Sequence, residues 1–181
     1  MGNYRRNYVV GGTYFFTVVT HRRRKILTSL LGRRCLHKAI DEVRHDRLFD
    51  LVAIVLMPDH LHCVWTLPRE DKDFSTRWRL IKSRFTKDYL AGGGSEARPT
   101  TEQRRHASRG IWQPRFWEHA CQNEDDLKRC VDYIHWNPIK HGLACRVCEY
   151  PWSSFRRYVQ MGEYSVDWGG VNPCPGWNQP E

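Results

Sequence analysis

No stretch of the chain approaches the roughly 20 consecutive apolar residues that span a bilayer, so no membrane anchorage is expected. The opening MGNYRRNYVVGGTYFF carries early charge but no long apolar core ahead of its strand-like run, and it does not read as a signal peptide. Acidic residues are in deficit: 20 Asp and Glu stand against 29 Lys and Arg, a formal charge of +9. That imbalance points to an acidic partner, and nucleic acid leads, because Lys and Arg contacts to phosphate supply most non-specific affinity. A solvated basic surface would give the same count, but here the arginines are mixed with eight Trp and eight Tyr, which suits phosphate forks plus base stacking.

Internal repeats are absent, and so is a zinc framework. Seven cysteines, an odd number, without a secretory signal fit free thiols in a reducing compartment. Cys145 and Cys148 form a CxxC that His141 or Cys174 might be imagined to complete, but a second ligand pair at knuckle spacing is missing, so the pair reads as ordinary thiols beside the Tyr150-Pro151 turn. At 181 residues with 40% hydrophobic content, the chain is long enough to bury a core without staples.

What is present begins with elements. TYFFTVVT, residues 13–20, follows the turn-forming Gly11-Gly12 and reads as a strand. Leu30, Leu31, Leu36, Ile40 and Val43 make a helical stripe from near Thr28. FDLVAIVLMPDHLHCVWTL gives two strands joined across Met57-Pro58-Asp59. Phe74, Trp78, Ile81, Phe85 and Tyr89 then sit at helical spacing and read as core. Residues 91–110, AGGGSEARPTTEQRRHASRG, lack periodicity and read as a mobile surface loop. IWQPRFWEHACQ looks like a broken strand, and EDDLKRCVDYIHWNP like a helix from about Glu124 that stops before Pro138. This order predicts an α+β fold: a ferredoxin-like or RRM-like antiparallel sheet with helices on one face, plus an appended helix and a C-terminal tail. We expect one domain over residues 1–161 and a tail over 162–181.

The chemistry concentrates in two motifs. In MPDHLHCVW, residues 57–65, His60 and His62 are two apart on a strand, so both leave the same face and can share one metal ion. Histidines near a turn are also often merely solvated or hydrogen-bonded to backbone, so the pair alone decides nothing. In DYIHWNP, Tyr133 and Asn137 are four apart and share a helix face, although a half-buried tyrosine and a helix-end asparagine would look the same. Together, paired imidazoles, a tyrosine with an oxygen donor one turn on, and a basic aromatic surface are parts for cutting a nucleic-acid strand with a phenolate nucleophile. A divalent metal would polarise the phosphate. A tyrosine, with an ordinary pKa near 10, attacks only where a cationic field eases its ionisation.

MPDHLHCVW, WQPRFWEH and DYIHWNPIKHGL, followed by YPWSSFRRYV, together resemble the REP-associated tyrosine transposases, relatives of the single-tyrosine HUH transposases. The resemblance runs from YVVGGTYFFTVVT to about Met161. It implies that His60 and His62 are the HUH pair, that Tyr133 is the nucleophile, and that Asn137 completes a site for Mg²⁺ or Mn²⁺ where related transposases use glutamine. It implies recognition of short palindromic repeats folded as single-stranded DNA hairpins, with a 5′-phosphotyrosine and a free 3′-OH after cleavage. A bacterial, cytoplasmic, nucleoid-associated protein is expected, as monomer or dimer. Candidate DNA contacts are Arg5 and Arg6 in the N-terminal arm, Arg22 at the first strand's exit, Lys82, Arg84 and Lys87 on the second helix, and Arg115 and Lys140. Trp117 and Trp152 are stacking platforms unless they belong to the core. Neither the 91–110 loop nor the tail matches a motif of that family. Two other readings stay open: a non-catalytic RRM-like binder of single-stranded nucleic acid, and a zinc hydrolase using His60, His62 and a water.

Overall fold

A computed structural model describes residues 6–97 and 109–170. In chain order the elements are β1 (Thr13–Val19), α1 (Leu30–Asp46), β2 (Asp50–Leu56), β3 (His60–Thr66), α2 (Phe74–Ala91), β4 (Trp117–Ala120), α3 (Glu124–Lys140) and a short α4 (Phe155–Gln160). The four strands form one antiparallel sheet in the order β2-β3-β1-β4. Most of the 91–110 loop expected from sequence lies outside the described residues, as do Arg5 and the tail beyond 170.

Alternation along the strands divides the core in two. Tyr14, Phe16 and Val18 of β1 and Leu61, Cys63 and Trp65 of β3 face α1 and α2, which pack against each other on that side. Phe15 of β1, Val64 of β3, and Ala53 and Val55 of β2 face the opposite way, onto Cys130, Val131, Tyr133 and Ile134 of α3. The helix appended to the ferredoxin-like core therefore covers the sheet's second face. That is why LVAIVL is apolar throughout and TYFFTVV departs from it only at Thr13 and Thr17, without the strict polar alternation of a half-solvated strand.

Local signals start the helices. The Ser29 hydroxyl accepts from the Gly32 N–H at the start of α1, Asp73 accepts from Thr76 N–H at α2, and Asn123 accepts from Asp126 N–H at α3. Gly32 is required: a Cβ there would lie 2.0 Å from the Ile26 carbonyl oxygen. Glu124, Asp125 and Asp126 add negative charge to the first turn of α3, complementing its dipole.

Helix α3 does not stop before Pro138 as expected; it runs to Lys140 with the proline in its last turn. Near a C-terminus the missing N–H removes a single helical bond and the ring's fixed φ is already helical. Beyond it Gly142 adopts φ +65°, its N–H bonding to the Ile139 carbonyl and that of Leu143 to Pro138, a Schellman stop. The three extra residues carry Lys140 and His141 back toward the sheet. Residues 162–170 continue to pack on the body, with the Tyr164 hydroxyl donating to the Asp132 carboxylate and Arg146 paired to Asp167 at 2.7 Å.

Candidate active site

Register places the histidines. Thr17 of β1 pairs with His62 on one side and with Trp117 of β4 on the other, while Val19 pairs with His60, so both imidazoles stand on the face that α3 covers. The β2–β3 turn is fixed from β1's exit, where the backbone N–H and hydroxyl of Thr20 both donate to the Asp59 carbonyl at 2.8 Å. His60 begins β3 at that turn. The two rings lie with centroids 4.9 Å apart, nearly edge-on at 78°.

Each imidazole has one nitrogen committed. His60 Nδ1 lies 2.7 Å from the Asp59 carboxylate, and His62 Nδ1 lies 2.9 Å from the Thr17 hydroxyl. With Nδ1 donating in both, the Nε2 lone pairs are left for the site, the arrangement that commonly orients metal-ligating histidines. His62 Nε2 is buried and has no hydrogen-bond partner among the described residues. Burial holds both rings below the ordinary imidazole range, with Asp59 opposing that drop at His60, and repulsion from neighbouring basic groups, His60 first, lowers His62 further. Both are neutral at pH 7, the form that binds metal. Asp59 is driven upward by burial, but its bonds to His60 and Arg23 outweigh this and hold it below the ordinary carboxylate value.

Tyr133 comes from α3 on the facing layer. Its ring packs edge-on against His62 with centroids 5.4 Å apart and against Phe15 at 5.9 Å. Lys140, two turns on, places its ammonium 3.4 Å from the tyrosine hydroxyl and 5.2 Å from the ring centre. Asn137, one turn from Tyr133, is fully buried, and both polar atoms of its amide are buried without a hydrogen-bond partner among the described residues. An amide in that state costs about 1–3 kcal/mol unless something fills its valences. Sequence reasoning missed His141, whose ring lies 5.4 Å from that of His60, and gave Lys140 only a DNA contact; both were hidden by ending the helix at Pro138. Thr17 and Asp59 were missed as well, since only cross-strand register and the turn geometry reveal them.

The unpartnered His62 nitrogen and Asn137 amide suit a divalent ion, with two imidazoles and one carbonyl oxygen as the donor set. Among the described residues, the one cluster of three His, Cys, Asp or Glu ligand atoms within 4.8 Å of one another lies elsewhere, at His119, Asp126 and Cys130. There the carboxylate is already engaged: Asp126 Oδ2 sits 2.8 Å from His119 Nε2 and accepts from the Gln122 N–H at 3.0 Å.

The basic candidates scatter. Arg6, Lys82 and Lys87 line one groove of about 810 Å³ between α2 and the segment leading to β4, together with Arg79, Trp112 and Phe116. Arg6 stacks 4.1 Å over Phe116 and pairs with Glu118 at 3.6 Å. Lys82 donates to the Gln113 carbonyl, and burial pulls its pKa down to about 7. Arg84 points away, paired to Asp46 at 2.6 Å and Glu42 at 3.5 Å on α1. Arg79 lies on the same face of α2 as Lys82 and Ser83, and helical spacing alone could have found it. Arg22 and Arg115 are exposed, Arg22 in a left-handed turn at φ 54°. Trp117 flanks Phe15 at 5.8 Å on the β4 edge, whereas Trp152 sits beside β2 under Arg33, so the two do not form one stacking surface. Cys145 and Cys148 carry free thiols. Among the described residues no helix is long and apolar enough to cross a membrane.

A sheet that presents an HxH pair to a tyrosine-bearing helix defines a class, and the sequence pattern described as transposase IS200 like matches residues 8–137; the chain belongs to that transposase family. It is 45% identical over 173 residues, 94% of this chain and 92% of the other, to the REP-associated tyrosine transposase of Escherichia coli (strain K12). A relative from Haemophilus influenzae is 39% identical over 175 residues, 96% of both chains. A solved structure of a REP-associated tyrosine transposase bound to a REP hairpin matches with a TM-score of 0.77 at 41% identity, covering 100% of each chain. Within that family the chain groups with the REP-associated tyrosine transposases.

Proposed function

We propose that the protein is a metal-dependent single-stranded DNA endonuclease and strand-transferase that acts on REP-type hairpins, with Tyr133 as nucleophile. The observation that carries this is the meeting of two separate elements: the Tyr133 ring of α3 against the His62 ring of β3, with the Lys140 ammonium at the phenol oxygen. The hydroxyl attacks the scissile phosphorus and gives up its proton to solvent, the bond to the 3′ oxygen breaks with that oxygen taking up a proton to leave as the 3′-OH, and the 5′ phosphate remains on the tyrosine. Lys140 offsets the charge that develops on the phenol oxygen as its proton leaves. His60, His62 and Asn137 would hold Mg²⁺ or Mn²⁺, which when bound supplies Lewis-acid polarisation of the phosphate. Joining is the reverse attack, by a 3′-OH on the phosphotyrosine.

DNA hairpins are the favoured substrate because a relative of this fold is bound to one. The groove lined by Arg6, Arg79, Lys82 and Lys87 suits an unpaired strand, with phosphates at the cations and bases against Trp112 and Phe116. A non-catalytic RRM-like binder would need an open sheet face for stacking, and here helices cover both faces.

The test is to incubate the protein with a 5′- and 3′-labelled REP hairpin and Mg²⁺, denature, and digest with trypsin. The expected product is DNA attached through its 5′ phosphate to the peptide of residues 130–140. Cleavage without any protein adduct would instead indicate metal-activated water and overturn the nucleophile.

A further inference from the structure

Helix α3 has a second reactive group one turn before Tyr133. Cys130 is fully buried beneath it, and its sulfur lies 3.7 Å from that of Cys121, in the segment leaving β4. Cys121 is half-exposed, and its backbone N–H is anchored to the Thr13 carbonyl at 2.8 Å. Van der Waals contact between one accessible and one buried thiol is an asymmetric pair, an outer sulfur that a reagent reaches and an inner one already aimed at it. Among the described residues, Cys35, Cys63, Cys145 and Cys148 make no such sulfur contact.

We propose that Cys121 and Cys130 form a reversible disulfide that ties the nucleophile's helix to the edge of the sheet. The oxidant is a low-molecular-weight disulfide such as oxidised glutathione. The Cys121 thiolate attacks one of its sulfurs and expels one thiolate. Cys130 then attacks the Cys121 sulfur of the mixed disulfide, its proton passing to the second departing thiolate. Two protein thiols are oxidised, and one reagent disulfide becomes two thiols. The Cys130 S–H donating to the Cys121 sulfur lowers the pKa of Cys121, which favours it as the attacking group, while that same contact together with burial raises Cys130.

The neighbouring His119 and Asp126 do not turn the pair into a metal site. Asp126 is engaged by His119 and the Gln122 N–H, and Cys121 lies outside the set of ligand atoms within 4.8 Å of one another. Closing a 3.7 Å contact to a bonded pair moves the sulfurs together by about 1.7 Å. Cys130 packs in the same cluster as Tyr133, and the Tyr133 ring is held edge-on to His62, so the closure displaces the nucleophile relative to the histidines.

Full-length protein is titrated with oxidised glutathione, alkylated and digested with trypsin. The expected result is one dominant cross-link, joining the peptide of residues 116–128 to that of 130–140 with the loss of two hydrogens, reversed by dithiothreitol. The Cys130→Ser variant should instead accumulate one glutathionyl group on Cys121. Hairpin cleavage by the wild type should fall at least tenfold on oxidation and recover on reduction, while Cys121→Ser resists. The cross-link is read by mass without any cleavage, so its failure is separable from failure of the nuclease assignment. Scrambled pairings, a stable mixed disulfide on wild-type Cys121, or stoichiometric Zn²⁺ binding that shields both thiols would overturn the proposal.

Discussion

Replacing Tyr133 by phenylalanine deletes one oxygen from a ring that is otherwise held by packing. The ring is 3% exposed and rests edge-on against Phe15 and His62, contacts that phenylalanine keeps. The hydroxyl's contact with Lys140 is long, 3.4 Å, and comes from an exposed side chain. Loss of that contact should cost no more than about 1 kcal/mol. For a chain of this size that shifts Tm by roughly 2–4 °C. Hairpin affinity depends on phosphate and base contacts elsewhere and should stay within about threefold, a difference under 1 kcal/mol. Cleavage and adduct formation should vanish. Thermal denaturation, a salt-controlled binding titration and a denaturing gel of labelled hairpin read the three quantities on one preparation. Adduct formation by the variant would refute the assignment, and a Tm loss above about 8 °C would refute the claim that the hydroxyl does little for packing.

Asn137→Asp should keep or tighten the Mg²⁺ dependence of cleavage, because a carboxylate suits a hard cation, whereas Asn137→Leu should weaken it; an unchanged Mg²⁺ midpoint in the leucine variant removes Asn137 from the site. Arg77 is 1% exposed and donates to the carbonyls of Leu48, Asp73 and Arg47 and to the Asp71 carboxylate. Arg77→Met should lower stability by about 3–5 kcal/mol, read as a Tm drop of roughly 10 °C, and a drop under about 2 °C would show those acceptors rehydrate freely. His135, bonded through Nε2 to the Ser154 hydroxyl, has its pKa pulled down to about 3, first by burial and then by Arg157. The unfolded chain takes up that proton near pH 6.5, so this contribution to stability is complete above pH 6.5 and is lost as pH falls toward 3, at about 1.4 kcal/mol per pH unit. His135→Gln should flatten the fall in Tm between pH 7 and 5, and an identical slope in the variant would refute it.

How much could be read from sequence follows how local each signal is. The strands and the core stripe of α2 from Phe74 to Tyr89 depend on neighbours within one or two turns, and these appear where periodicity puts them. His60 and His62 share a face because the period of a strand requires it. Which layer they meet was not local. Nothing in MPDHLHCVW says that α3 covers that face, and Thr17 becomes the partner of His62 only through a pairing across 45 residues. Pro138 misled for a physical reason: the steric rule against proline in a helix is weak in the last turn, where Gly142 can still close the end. Counting charge also overstated the basic surface, since Arg84 bridges to α1 and Lys82 is half-buried.

The covering of both sheet faces bears on how the site works. His62 and Asn137 are 3% and 0% exposed, so the groups that would hold a metal are set by the same packing that stabilises the fold. The imidazoles belong to the sheet and Tyr133, the proposed nucleophile, to α3, and their alignment depends on how Phe15, Val55, Met57 and Val64 seat against Val131 and Ile134. A hydrophobic layer of that density holds side chains in fixed rotamers, which preorganises the attack geometry. It also means that neither half of the site can shift without disturbing the core. DNA is therefore expected to enter and leave with the contact between α3 and the sheet kept intact. Helix α3 is fixed at both ends, by the Asn123 cap and by the Gly142 stop.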